Sequence, residues 1–171
     1  VFQGMKNYDS ARSYLRKALA LDPENPLFLV NISGIFRQLR QYDSAGYYFM
    51  KQLYKRTEQS ALVLQAVGNF YNDMKQYDSA IIYYKKAIIL DPKYITVYTN
   101  TGVAYMKLEM NDSALVYLQQ AARMDTNSHT TSLNLGLLYH SIQRYDSAIH
   151  YLQNAIRLDS TKSKTYYQLA C

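Results

Sequence analysis

Tyr77-Asp78-Ser79-Ala80-Ile81-Ile82-Tyr83-Tyr84-Lys85-Lys86-Ala87, closed by Leu90-Asp91-Pro92, is the stretch from which the rest of the chain follows. Its opening Tyr-Asp-Ser-Ala recurs at Tyr8–Ala11, Tyr42–Ala45 and Tyr145–Ala148, with Asn-Asp-Ser-Ala at Asn111–Ala114. The first residues stand at 8, 42, 77, 111 and 145, so the steps are 34, 35, 34 and 34. A fixed period in this range marks an array of one supersecondary unit. Each unit buries its apolar face on its neighbours and not in one central core.

The flanking residues keep the same register. Phe2, Phe36, Tyr71, Tyr105 and Tyr139 stand six before the opening Tyr or Asn, and Met5, Leu39, Met74, Leu108 and Ile142 stand three before it. Val1-Phe2-Gln3-Gly4 shares that register and is therefore taken as native, the end of a repeat's first helix. Leu29, Ile32, Ile35, Phe36 and Leu39 recur at three- and four-residue spacing, which makes one apolar helix face. Pro26 suits a helix's opening turn, where its missing N–H has no partner to lose, and Asp22-Pro23 and Asp91-Pro92 stop the helices before them.

The first helices are thus expected over 26–40, 61–75, 95–107 and 129–143, and their partners over 8–21, 42–56, 77–90, 112–124 and 145–158. The expected organisation is a single array. Residues 1–25 hold the second helix of a partial repeat, 26–60, 61–94, 95–128 and 129–162 are full repeats, and 163–171 begin another. A chain that starts and stops inside a repeat is expected to belong to a longer protein.

Each second helix opens with Asp-Ser. A carboxylate in the first turn offsets the positive end of the helix dipole, so these pairs are helix starts and not chemistry. Ala11, Ala45, Ala80, Ala114 and Ala148, with Ala18, Ala87, Ala121 and Ala155, are positioned to let paired helices approach. Gly68, Gly102 and Gly136 stand nine before the opening residue. Glycine within a helix costs about 1 kcal/mol relative to alanine, so its repetition predicts close crossings.

Composition sets the remaining bounds. The chain has 171 residues, 49% hydrophobic and 19% charged, with six Gly and three Pro, which favours helices and argues against disorder. The formal charge is +6, but the basic residues are scattered, in pairs such as Arg16-Lys17, Lys55-Arg56 and Lys85-Lys86, and no nucleic-acid partner is expected. Cys171 is the single cysteine, which excludes an intrachain disulfide and carries no information on compartment. No apolar run has transmembrane length.

Catalytic constellations are missing. His129, His140 and His150 are isolated, the glycines sit singly in helices, and the carboxylates do not converge. No enzyme activity, cofactor or metal is expected.

Leu64, Val67-Gly68, Tyr71, Tyr77, Ala80, Tyr84, Ala87 and Pro92 together resemble the tetratricopeptide repeat. The fourth repeat shows the pattern as Tyr98, Thr101-Gly102, Tyr105, Ala114, Leu118 and Ala121, and the fifth as Leu135-Gly136, Tyr139, Tyr145, Ala148, Leu152 and Ala155. Repeat two departs from it. Ser33 stands in place of the glycine with Gly34 beside it, Gln52 replaces the second alanine, and a longer loop or bend is expected around Thr57–Ser60.

The resemblance implies an all-α fold, a right-handed superhelical array of antiparallel helix pairs, or α-solenoid. Its first helices would line a concave groove that binds a peptide or a helix of another protein. Carried over by register, the groove positions are Asn31, Arg37 and Gln38, then Gln65, Asn69, Asn72 and Asp73. Thr99, Asn100, Met106 and Lys107 follow, then Asn134, Leu137 and His140, and finally Lys164, Tyr167 and Gln168. Asn31, Asn100, Asn134 and Gln168 share one register position, with Ala66 the exception. An amide offers both donor and acceptor and can pair with a ligand's backbone whatever its side chains. The alternative is that these amides bond neighbouring helices or face water. The family's cluster of cations and Asn that grips a terminal carboxylate is matched only at Lys164 and Asn134.

Tyr14, Tyr48, Tyr83, Tyr117 and Tyr151 occupy one position in every second helix. The stripe is expected to pack between repeats, with an outer partner surface as the alternative. The expected function is a non-catalytic protein-interaction scaffold. The alternatives are a self-associating or sensory part of a larger protein, through its apolar terminal half-repeats, and the recruiting arm of an enzyme whose catalytic domain lies elsewhere.

Overall fold

The computed structural model describes residues 10, 13–14, 16–18, 20–23, 25–38, 46, 50 and 60–158, within two compact units, Val1–Asp91 and Pro92–Cys171. In the first unit, α1 (Pro26–Gln38) packs on α2 (Ala61–Asp73), and α2 pairs with α3 (Tyr77–Leu90). In the second, α4 (Ile95–Lys107) pairs with α5 (Asn111–Met124) and α6 (His129–Ser141) with α7 (Tyr145–Leu158). There α5 also packs on α6, and α4 touches α6. No strand occurs among the described residues. Most of Tyr8–Leu21, Tyr42–Arg56 and the loop at Thr57–Ser60 lie outside them.

The small residues stand where the repeat predicts. Ala80, Ala87, Ala114, Ala121, Ala148 and Ala155 are all buried. A methyl group placed on Gly68 would strike the Tyr84 ring. One placed on Gly102 would lie 2.6 Å from Leu118 Cγ, and one on Gly136 would lie 2.6 Å from Leu152 Cγ. Carbon atoms in contact sit about 3.5–4.0 Å apart. Each glycine is therefore required by the side chain seven residues into the partner helix. Gly34 is different, because nothing among the described residues lies within 4 Å of its added methyl.

First and second helices are joined by the same turn three times. Lys75, Glu109 and Gln143 adopt left-handed φ values of 60°, 60° and 61°. The N–H of the next residue reaches back to a carbonyl in the helix: Gln76 to Tyr71 at 2.9 Å, Met110 to Tyr105 at 3.0 Å and Arg144 to Tyr139 at 2.9 Å. The left-handed residue's own N–H bonds Asn72, Met106 or His140. These are Schellman closures built without glycine.

The second helices begin without a capping side chain at Gln76 and Met110. Exposed Asp78, Asp112 and Asp146 lie in the first turns and supply the negative charge the exposed N–H groups favour. Ser128 caps α6 by accepting from the Thr131 N–H at 3.2 Å.

Candidate functional site

The first-helix faces divide into residues that fasten the fold and residues that remain at the surface. Gln65 is 9% exposed and Thr99 is 6% exposed. Thr99 Oγ1 lies 3.0 Å from Thr131 Oγ1, either hydroxyl donating, so this position joins α4 to α6 and does not face a groove. Asn69 is half-buried, and its Oδ1 accepts from the Tyr84 hydroxyl at 2.8 Å. A buried phenol needs such a partner.

Asn31, Lys107 and His140 are exposed, while Asn72, Asn100, Asn134 and Leu137 are half-buried. Asn134 Nδ2 donates to the Thr130 carbonyl of its own helix at 2.9 Å, which turns Oδ1 into the group it can offer a ligand N–H. The His140 ring meets the Tyr145 ring edge-on at 5.8 Å between centroids. Arg37 belongs to α1. Lys164, Tyr167 and Gln168, with the apolar terminal half-repeats proposed for self-association, lie outside the described residues.

Three members of the tyrosine stripe find a stacking partner within their own hairpin, while Tyr48 lies outside the described residues. Tyr83 stacks on Tyr71 at 5.2 Å and 6°, Tyr117 on Tyr105 at 5.5 Å and 23°, and Tyr151 on Tyr139 at 5.5 Å and 9°. Each partner comes from the first helix of the same hairpin, not from the next repeat. The antiparallel pairing brings the aromatic six before the opening residue opposite the one six after it. Gln119 Nε2 of α5 donates to the Tyr139 hydroxyl of α6 at 3.0 Å and, like the Thr99–Thr131 bond, joins repeats four and five.

His129 is also structural. Its Nδ1 pairs with the Ala155 carbonyl at 2.8 Å and ties the start of α6 to α7, while Nε2 is buried without a partner. Among the described residues no group of three or more His, Cys, Asp or Glu side chains is arranged to hold a metal ion, and no helix is long and apolar enough to cross a membrane.

Family profiles match nearly the whole chain. A profile described as tetratricopeptide repeat matches residues 1–61, one described as TPR repeat matches 68–109, and another for the tetratricopeptide repeat matches 95–128 and 130–162. The chain belongs to the tetratricopeptide repeat family. Solved structures agree on the fold, an all-α solenoid of this type. A thermophilic TPR protein in Thermus thermophilus, TTC0263, is 20% identical with a TM-score of 0.80, over 99% of this chain and 92% of that one. The crystal structure of MamA is 20% identical with a TM-score of 0.75, over 95% of this chain and 94% of that one. The first TPR of Spaghetti (RPAP3), bound to the HSP90 peptide SRMEEVD, is 25% identical with a TM-score of 0.64, over 66% of this chain and 89% of that one. No curated protein matches the chain in sequence. TPR repeats are generally non-catalytic scaffolds, and the repeats here support a protein-interaction role.

Proposed function

We propose that this TPR chain is a non-catalytic scaffold whose first-helix faces hold an extended peptide of a partner protein. The observation that carries the reading lies in the second unit. There α4 and α6 lie in contact and present Asn100 and Asn134 at the same register, with exposed Lys107 and His140 near the two helix ends. Amides at matched positions suit a ligand backbone, and the Lys107 ammonium favours a peptide with acidic side chains. By register alone, Asn31 and Asn72 belong to the expected first-helix positions of the first unit, and Lys164 and Gln168 to those of the last partial repeat. Asn69 and Gln65 contribute through the fold more than through contact, given the Tyr84 bond and the burial described above. That a peptide is bound to the Spaghetti repeat is consistent with this reading.

The test starts from peptides selected on the intact chain from a random displayed library. Calorimetric titration then compares the wild type with a variant carrying both Asn100→Ala and Asn134→Ala. Affinity is expected to fall at least about tenfold, about 1.4 kcal/mol, with the helical circular dichroism spectrum unchanged. Unchanged affinity would remove the amide pair as the contact.

A further inference from the structure

The second unit contains an open cleft of about 430 Å³ on its second-helix side, bordered by Gln119, Ala122 and Arg123 of α5, Ser132 of α6, and Tyr151 and Asn154 of α7. That size is within the usual range for small-molecule sites, about 300–1,000 Å³. Its origin is visible in the repeat register. Thirteen residues before the opening Tyr or Asn, repeats three and four carry Leu64 and Tyr98, and repeat five carries Ser132. The Leu64 side chain is buried, and the Tyr98 ring leans on Tyr117 at 6.4 Å between centroids. At Ser132 a hydroxymethyl group replaces that bulk, and the corresponding face of Tyr151 is left to line the cleft.

The polar groups around it are held in place. Asn154 Nδ2 donates to Ser132 Oγ at 2.9 Å, and Asn154 Oδ1 accepts from Arg157 at 2.8 Å. Gln119 is held by its bond to Tyr139. The side chains lining the cleft that can donate are the Arg123 guanidinium and the hydroxyls of Ser132, Thr126 and Tyr151. Burial, followed by the nearby Tyr139, pushes the Tyr151 phenol above its ordinary pKa, against the opposing effect of Arg123, so it stays a donor at neutral pH. No carboxylate lines the cleft, and among the described residues Arg123 has no ion pair. A cation with hydroxyl donors recognises an oxyanion, while Ala122 and the Tyr151 ring offer apolar surface beside it.

We propose that this cleft binds a small aromatic or aliphatic carboxylic acid, its carboxylate on Arg123 and the Ser132 and Tyr151 hydroxyls and its apolar part against Ala122 and the Tyr151 ring. The site shares no residue with the peptide contacts proposed at Asn100, Lys107, Asn134 and His140 and does not depend on peptide binding there. Titration of the intact chain with 4-hydroxybenzoate, followed by calorimetry and by the tyrosine ring signals in NMR, tests it. The expected Kd is about 1 mM for the wild type. Binding is expected to be at least about tenfold weaker for the neutral 4-hydroxybenzamide and for Arg123→Gln, the loss of a charge-assisted hydrogen bond. Ser132→Leu, which restores the bulk present at Leu64, is expected to abolish binding. Arg123 is exposed, so Arg123→Gln remains a valid test even if the Leu variant folds poorly. Equal affinity for the acid and the amide, equal affinity in Arg123→Gln, or no shift of the Tyr151 signals by 4-hydroxybenzoate would overturn the proposal.

Discussion

The α2–α3 and α6–α7 hairpins make the same crossing with different chemistry. In both, a glycine nine before the opening tyrosine receives the side chain seven after it: Tyr84 on Gly68, Leu152 on Gly136. The residue beside each glycine differs accordingly. Asn69 follows Gly68 and accepts the Tyr84 hydroxyl, whereas Leu137 follows Gly136, where the partner has no hydroxyl to satisfy. The α4–α5 hairpin, with Leu118 on Gly102 and Val103 beside it, agrees with the second case. The comparison teaches that the crossing is set by the repeat, while the neighbouring polarity is set by what fills it. Asn69 is thus a consequence of Tyr84.

The largest effect is expected at the glycines. Gly68→Ala and Gly136→Ala each force a methyl into the partner side chain, and overpacking of this kind costs about 1–3 kcal/mol. Helix propensity returns up to about 1 kcal/mol, so a net loss remains at both, against the rigid Tyr84 ring at Gly68 and against Leu152 Cγ and backbone nitrogen at Gly136. Chemical denaturation measures both. Equal stability to the wild type would break the shared crossing.

Next comes the Asn69–Tyr84 pair. Asn69→Leu strands a buried hydroxyl and is expected to cost about 1–3 kcal/mol, and Tyr84→Phe alone about 1 kcal/mol. The double variant, which leaves no hydroxyl without a partner, as in the fifth repeat where Leu137 and Leu152 hold these two positions, is expected to be more stable than Asn69→Leu alone. Additive losses in the double-mutant cycle would show that the two residues are not coupled.

A smaller gain is expected at Gly34. No atom of the described residues opposes its methyl, so Gly34→Ala should stabilise by about 0.5–1 kcal/mol, opposite in sign to Gly68→Ala. A loss there would mean that the second repeat keeps a tight crossing after all.

The smallest effect concerns pH. The Tyr151 pKa is raised in the folded state, first by burial and then by Tyr139, so its contribution is intact below its ordinary value near about 10 and is lost as pH rises through the folded value. Tyr151→Phe should flatten the alkaline decline of the melting temperature slightly. An unchanged decline would mean that the phenol ionises equally in both states.

The helix pairs were legible because period, small residues and prolines all point to them, and Tyr77–Leu90, Ile95–Lys107 and Tyr145–Leu158 begin and end where expected. Helix α2 ends at Asp73 and α6 at Ser141, two residues before the expected limits, because Lys75 and Gln143 leave the helix for the left-handed region. Neither is Gly or Asn, the residues that ordinarily signal such a turn. The tyrosine stripe suggests packing between repeats, and Tyr151 does border a cleft with Ala122 and Arg123 of the preceding repeat. The stacking partner of each ring comes from across the hairpin turn, which spacing along the second helices does not show. Asn69's role was not legible, since it depends on Tyr84 fifteen residues away. The cleft at Ser132 was visible in sequence only as a missing large residue.

The most direct test of the functional account is a hydrogen–deuterium exchange footprint of the intact chain with a library-selected peptide. The account predicts slowed exchange in α4 and α6, with α5 and α7 little changed. Protection confined to α5 and α7 would place the partner on the tyrosine-bearing second helices and contradict it.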